Sequence, residues 1–116
     1  MFTTITIYTW GNQVRKAPPS DSQHNFCVTG ISSYKPKGVD LKKVDGRDEK
    51  LQQKLQRQPR FHLYFQTIIH KIIQEKLTKV ALNCHKGRHR SVGTAELVAV
   101  ELRQRGYDVK LIHLEL

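Results

Sequence analysis

The sequence predicts a small α/β domain, a Rossmann-like parallel sheet within three layers. Two observations carry this prediction. Short β-branched or apolar runs alternate along the chain with longer segments of helical periodicity. The chain also closes on a strand, a loop, a helix and a strand, which is the pattern of a parallel crossover unit. The length of 116 residues suits a single domain over residues 1–116.

Four segments have the composition of strands. Residues 3–9 alternate β-branched and apolar side chains, and residues 25–31 form a second apolar run. Residues 79–83 are apolar on consecutive positions, which predicts a strand buried on both faces. Residues 109–114 form the last strand, whose apolar composition suits a sheet edge open to pairing.

Three segments have helical spacing. The first covers residues 48–57, with Asp48 as its N-terminal cap. The second covers residues 61–77 and has a wide apolar stripe that predicts core packing. The third contains the apolar positions that begin at Val92 and ends at Gly106, a residue that adopts the left-handed conformation readily.

The composition limits the possible functions. Twenty Lys and Arg stand against ten Asp and Glu, so a net charge of +10 favours anionic partners. No apolar run is long enough to span a membrane, and no secretory leader is recognisable, so we expect a cytoplasmic protein without membrane contact. Cys27 and Cys84 form no disulfide framework and cannot hold zinc alone, so we predict neither metal nor cofactor. Cys27 is expected to be a small buried residue of the second strand.

The segment from Asn83 to Ser91 carries the most specific chemical signal. It joins a buried strand to a helix N-terminus, where unsatisfied backbone N–H groups and the helix dipole favour an anion. Ser91 is placed to cap the helix or to bind the ligand, and His85 is a possible ligand contact. A basic, solvated turn is the structural alternative. The predicted phosphate-binding residues are Lys86, Gly87, Arg88, His89, Arg90 and Ser91.

The same segment also resembles the phosphate loop of cysteine-dependent phosphatases. Cys84, five intervening residues and Arg90-Ser91 give the spacing C-x5-R-S. That resemblance implies a Cys84 thiolate as nucleophile, Arg90 as phosphate clamp and Ser91 assisting the leaving thiolate. No upstream aspartate lies in a recognisable acid loop, so this enzyme is the alternative and a non-catalytic site is favoured.

A second resemblance covers most of the chain. The pattern Cys84-x-x-Gly87-x-His89-Arg90-Ser91-Val92 is similar to the C-T-G-G-x-H-R-S-V loop of the RNase adapter protein RapZ family, in its C-terminal domain. The first strand, ending in Thr9-Trp10-Gly11, and Phe26-Cys27-Val28-Thr29 stand where that family has its first two strands. The segment Asp45-Gly46-Arg47-Asp48 resembles the family's helix start, and the closing strand aligns with its histidine at His113.

This resemblance implies a binding module rather than an enzyme. The ligand would be a phosphorylated small molecule, a sugar phosphate or a nucleotide, held by Gly87, His89, Arg90 and Ser91, with His113 as a possible contact. The resemblance further implies RNA contact and self-association into a homo-oligomer. No G-x-x-x-x-G-K-[ST] occurs in these 116 residues, so we expect them to lack the separate nucleotide-binding domain of the family.

The remaining charge is concentrated before and within the first predicted helix. Residues 34–60 contain nine Lys and Arg and four Asp and Glu, a net of +5. We expect this cluster to bind RNA phosphates, and it would merge with the loop if that helix packs beside it. Tyr8, Trp10 and Tyr34 either stack on bases or belong to the core. A purely electrostatic nucleic-acid binder is the third hypothesis. The predicted RNA-binding residues are Lys35, Lys37, Lys42, Lys43, Arg47, Lys50 and Lys54.

Overall fold

The computed structural model describes residues 3–31 and 38–116, which contain four strands and three α-helices. Their order confirms the predicted α/β fold class. A 3-10 helix, Thr29–Ile31, follows the second strand. The elements are β1 (Thr4–Gly11), β2 (His24–Cys27), α1 (Glu49–Gln56), α2 (Phe61–Gln74), β3 (Lys79–Cys84), α3 (Arg90–Gln104) and β4 (Asp108–His113).

The described strands form one parallel sheet in the order β2-β3-β1-β4. β1 and β3 are the central pair, and their register aligns Gly11 with Cys84 at the carboxyl ends. β4 pairs with the other side of β1 and aligns His113 with Thr9. Within the described chain β4 is an edge strand, as the sequence predicts.

The hydrophobic core lies between one face of the sheet and the helices. Side chains alternate between the two faces of a strand, so Ile5 and Ile7 of β1 point to the same side as Val80 and Leu82 of β3. All four are at most 1% exposed. The helices cover this face with apolar side chains of α1, α2 and α3: Leu55, Ile68, Ile72, Val98 and Leu102.

The opposite face of the sheet is contacted by the irregular connection between β1 and β2. The Tyr8 hydroxyl donates to Asp21 Oδ2 at 3.0 Å, and Lys79 Nζ lies 3.1 Å from the same oxygen. These hydrogen bonds from Lys79 and Tyr8 lower the pKa of the Asp21 carboxyl below its usual value. On the face opposite the helices, the sheet is therefore contacted by the irregular β1–β2 connection and not by a helix.

The helix ends follow local chemistry. Asp48 caps α1 as predicted, because its Oδ2 accepts the Leu51 N–H at 2.9 Å. α3 closes in a Schellman motif, in which the predicted terminator Gly106 has φ +95° and Tyr107 N–H bonds to Leu102 O at 3.0 Å. α2 ends similarly with Lys76 at φ +54°, which stops the helix at Gln74 and leaves the predicted last turn outside it.

The second predicted strand is too long, and its end is a correction. β2 stops at Cys27, and the predicted strand residues Thr29–Ile31 form a 3-10 helix. Val28 and Ile31 are both buried, and three-residue spacing places them on one side of a 3-10 turn as well. Cys27 is exposed rather than buried, because it alternates with the buried Phe26 and so points to the face of the sheet opposite the helices.

No helix within residues 3–31 and 38–116 is long and apolar enough to cross a membrane. The same residues contain no cluster of three or more His, Cys, Asp or Glu that is arranged to hold a metal ion.

The central strand β3 should control stability. Leu82 is fully buried between β1 and α3, so Leu82→Ala is expected to lower the free energy of unfolding by about 2–5 kcal/mol. Leu63→Ala is the matched control, because Leu63 is 67% exposed on α2 and its truncation is expected to cost less than about 0.5 kcal/mol. Chemical denaturation of both variants measures the difference, and equal midpoints would contradict this packing.

Candidate anion-binding site

The candidate site lies at the carboxyl ends of β1 and β3. The connection that leaves β1 passes over the face contacted by Asp21, whereas β3 leads into α3 on the core face. Strand ends whose connections diverge in this way form the usual ligand crevice of an open parallel sheet. Residues 85–89, here called the anion loop, join β3 to α3 at this position.

Backbone contacts hold the anion loop against the end of β1. Asn12 N–H bonds to Cys84 O and Gln13 N–H to His85 O, both at 2.9 Å, so the pairing continues beyond the strands. A Cβ on Gly11 would lie 2.5 Å from the Lys86 carbonyl carbon. Gly87 has φ +71°, a conformation that glycine adopts at little cost. The end of β1 and the anion loop can therefore approach this closely only because each has a glycine at the point of contact.

The anion loop presents backbone donors. No described residue accepts a hydrogen bond from the N–H groups of residues 85–89. They precede the first turn of α3, where the helix dipole is positive. Consecutive N–H groups at a helix N-terminus are a common arrangement for binding an anion. Lys86 and Arg88 are exposed and add positive charge to the loop.

Arg90 connects the anion loop to the end of β2. Among its contacts, Nη1 donates to Thr29 O at 2.6 Å and Nη2 lies 3.5 Å from His85 Nδ1. The guanidinium is half-buried at the start of α3. Two predicted site residues, His85 and Arg90, are thus brought together.

Cys84 and Ser91 form a buried pair beneath the loop. Cys84 Sγ lies 3.2 Å from Ser91 Oγ and accepts the Ser91 N–H at 3.4 Å. Cys84 is 3% exposed and Ser91 is fully buried. The prediction that Ser91 caps α3 is wrong, because the helix begins at Arg90 and His89 is the cap residue. Ser91 instead packs against the thiol from within the first turn.

His89 links the anion loop to the segment before α1 through hydrogen bonds. Its Nε2 lies 2.9 Å from both Leu41 O and Val44 O. Both partners are carbonyl oxygens, so Nε2 carries the proton, and Nδ1 has no hydrogen-bond partner among the described residues. Gly46 N–H bonds to Arg88 O at 2.7 Å, and a Cβ at Gly46 would lie 2.1 Å from the Gly93 nitrogen.

The predicted basic cluster therefore begins beside the loop. Lys42, Lys43 and Lys50 are exposed, and Lys54 is half-buried. Arg47 is exposed but pairs with Asp45 at 2.8 Å. Lys35, Lys37 and Tyr34 lie outside the described residues.

Asp45 is one of the four acidic residues within residues 34–60. Hydrogen bonds from the Arg47 side chain and backbone lower the pKa of the Asp45 carboxyl, and the nearby Arg88 charge lowers it further. Arg88 and Arg47 thus act on the same carboxylate. Among the described residues, this places one cation of the anion loop near one cation of the segment before α1.

Both ring nitrogens of His113 contact other side chains of this domain. Its Nδ1 lies 2.8 Å from Thr9 Oγ1 and its Nε2 lies 3.4 Å from Glu96 Oε1. A carboxylate only accepts, so in the neutral ring Nε2 donates to Glu96 and Nδ1 accepts from Thr9. Among the described residues no hydrogen bond links His113 to the anion loop.

The two aromatic side chains of β1 are hydrogen-bonded within the domain and are not both free to stack on nucleic-acid bases. Trp10 is 4% exposed, and its indole N–H donates to Asn25 Oδ1 at 2.9 Å. Asn83 donates to the same oxygen at 3.0 Å. Tyr8 is half-buried and bonds to Asp21. Of the two alternatives for Trp10, the structure supports packing within the fold.

Sequence reasoning missed Arg15 and Glu115. Arg15 Nε donates to Glu115 Oε2 at 2.7 Å, and the same oxygen accepts the Gly11 N–H at 3.0 Å. Arg88 Nη1 donates to Glu115 O at 3.1 Å. Gly11 and Arg15 lie 104 and 100 positions from Glu115, so no local pattern could have indicated these contacts.

Comparison with known proteins finds sequences similar to this chain. The family model of the RapZ C-terminal domain matches residues 3–116. A relative from Endomicrobium trichonymphae, called a nucleotide-binding protein, is 36% identical over 86 residues, which is 66% of this chain. A protein of the same description from Novosphingobium aromaticivorans is 31% identical over 98% of the chain. A third, from Dinoroseobacter shibae, is 31% identical over 66% of the chain.

The matched parts amount to 30%, 39% and 28% of the lengths of these relatives, so the chain spans less than half of each. The family match, in contrast, covers the first strand, the anion loop and the closing strand together. It confirms the resemblance found in the sequence. The chain belongs to the RapZ C-terminal domain family.

Proposed function

We propose that this domain, over residues 1–116, binds a phosphorylated small molecule in the anion loop without catalysing a reaction. The observation that carries the proposal is the run of N–H groups from residues 85–89 without a described acceptor, at the start of α3. Lys86 and Arg88 add charge and Arg90 adds a guanidinium, whereas the predicted site residue Ser91 is fully buried and would act only by supporting the loop through Cys84. A phosphate offers enough acceptor oxygens to satisfy several of these donors together.

The ligand class within this proposal is a sugar phosphate or a nucleotide. The relatives' description as nucleotide-binding proteins supports a phosphate-bearing ligand. His85 and the Nδ1 atom of His89 are the ring atoms that we assign to ligand contact, with Nδ1 accepting from a hydroxyl group of the ligand, since Nε2 carries the proton. His113 is a weaker candidate, because Thr9 and Glu96 already bond its ring nitrogens.

RNA is the second proposed partner. The exposed residues Lys42 and Lys43 lie between Leu41 and Val44, whose carbonyls contact His89, and the exposed Lys50 follows in the first turn of α1. Such a surface binds a phosphate backbone with salt-dependent, largely sequence-independent affinity. If the anion loop had no small ligand, this surface alone would make the domain a purely electrostatic nucleic-acid binder.

Two further parts of the proposal concern assembly and location. The edge strands β2 and β4 of the described sheet offer backbone groups for pairing with a second copy, which supports a homo-oligomer. The exposed free thiol of Cys27 suits a reducing compartment, which supports a cytoplasmic location.

Removal of the Arg90 guanidinium should abolish most ligand binding. We expect Arg90→Ala to lower affinity for inorganic phosphate by about a hundredfold, since charge-assisted hydrogen bonds contribute about 1.5–3 kcal/mol each. Arg90→Lys should retain part of the affinity, because it keeps the charge but loses the planar fork. Isothermal titration calorimetry measures both.

Arg105→Ala is the matched control for this experiment. Arg105 follows the same helix, pairs with Glu101 and is half exposed, so its removal should leave phosphate affinity unchanged. Thermal unfolding checks that Arg90→Ala remains folded after losing the bond to Thr29 O. Equal phosphate affinity in Arg90→Ala and the unaltered protein would disprove the site.

The cysteine-dependent phosphatase is the alternative that Cys84 tests. The Ser91 N–H and Oγ lie next to Sγ, as a thiolate at a helix N-terminus requires, but Cys84 is buried. We expect no hydrolysis of an aryl phosphate over a broad pH range, and Cys84→Ser should bind phosphate as the unaltered protein does. Turnover that is lost in Cys84→Ser would establish the phosphatase instead.

Paired charge removals test the RNA surface. The double variant Lys42→Ala/Lys43→Ala should weaken binding to single-stranded RNA and reduce the slope of log K against log[salt] by up to about 1.4, or about 0.7 per lost phosphate contact. Lys76→Ala/Lys110→Ala removes the same charge from exposed positions outside this surface. Fluorescence anisotropy at several salt concentrations measures the slopes, and identical slopes for the two variants would argue against the surface.

A further inference from the structure

Glu115 brings a negative charge to the margin of the anion loop. Its Oε2 accepts from the backbone N–H of Gly11 at 3.0 Å and from Arg15 Nε at 2.7 Å. Its side chain is 8% exposed, and its Cγ lies 2.7 Å from the position of a Cβ on Gly87. A carboxylate is therefore fixed beside a loop whose other charged side chains are cationic.

The groups that donate hydrogen bonds to the Glu115 carboxylate are of the kind that bind free anions. A backbone N–H and an arginine side chain are donors that commonly hold the oxygens of carboxylates and phosphates. The Glu115 backbone also takes part, because its carbonyl accepts from Arg88 at 3.1 Å. Arg15 Nη2 donates to Leu114 O at 3.2 Å and thereby holds the preceding residue as well.

Glu115 also remains ionised in this position. Burial acts to raise the pKa of the Glu115 carboxyl, but the hydrogen bonds from Arg15 and the Gly11 N–H lower it by more, so its pKa lies below the usual value. At neutral pH the carboxylate consequently neutralises Arg15 and repels any dianion in the anion loop.

We propose that the Gly11 N–H and Arg15 form a second anion subsite beside the anion loop, and that Glu115 occupies this subsite and weakens the binding of phosphorylated ligands. The inference rests on the proposed function, since it requires phosphate in the loop. Ligands with two adjacent phosphoryl groups compete with Glu115 for the subsite, and inorganic pyrophosphate is the simplest of them.

The test is a titration with inorganic pyrophosphate, followed through the amide signals of residues 85–89 in NMR spectra. Glu115→Gln removes the charge but keeps the shape, and it should bind pyrophosphate about three- to tenfold more tightly than the unaltered protein. The ratio of the two affinities should fall towards one as salt is added, because the difference is electrostatic. A merely structural effect of Glu115 would not produce this salt dependence.

Glu101→Gln is the matched control. Glu101 forms a comparable ion pair with Arg105, but on the same helix it lies about 16 Å beyond Arg90, from a rise of about 1.5 Å per residue. It should leave pyrophosphate affinity unchanged. Adding Arg15→Gln to Glu115→Gln should remove the gain, because the cation of the subsite is then absent.

The outcomes separate the two proposals. If the loop amides respond in the unaltered protein but Glu115→Gln binds equally or more weakly, the inference about Glu115 is overturned and the proposed function stands. If the loop amides respond in neither protein, the proposed function fails and the inference fails with it. If Glu115→Gln does not fold, the Gly11 amide signal of the unaltered protein decides: a shift at saturating pyrophosphate that inorganic phosphate does not cause supports a subsite from which Glu115 is displaced, and the absence of such a shift overturns it.

Discussion

The parallel pairing of β1 with β3 is the constraint on which the candidate site depends. The register places Gly11 opposite Cys84, and two further hydrogen bonds from Asn12 and Gln13 carry the pairing into the anion loop. Since a Cβ at Gly11 would lie 2.5 Å from the Lys86 backbone, the loop is shaped by main chain against main chain. In this arrangement the N–H groups of residues 85–89 have no acceptor among the described residues.

Further contacts around the anion loop join its side chains to the segment before α1 and to the residues that follow β2. His89 binds the carbonyls of Leu41 and Val44 through Nε2, so the segment before α1 is joined to the loop by a residue that the sequence assigned to the ligand. Arg90 reaches the end of β2 through Thr29 O. The site thus has few independent parts, and a change in one contact affects the position of the others.

Local chemistry could be predicted from the sequence, whereas contacts between distant segments could not. Asp48 as a cap and Gly106 as a terminator depend on a few neighbouring residues, and both are confirmed. The extended prediction for residues 29–31 failed because apolar residues three apart suit a 3-10 turn as well as a strand end. The contact between Gly11 and Glu115 spans 104 positions and has no local pattern. Ser91 shows the same limit, because its burial against Cys84 depends on the strand that precedes the loop.

The central claim, that the anion loop binds phosphate through its backbone, is tested most directly by a crystal structure grown with tungstate. Tungstate has the shape and charge of phosphate, and its anomalous scattering locates it without ambiguity. We predict one tungstate within hydrogen-bond distance of the N–H groups of residues 86–89 and of the Arg90 guanidinium. Tungstate bound elsewhere, with the N–H groups of the loop directed away from it, would contradict the account.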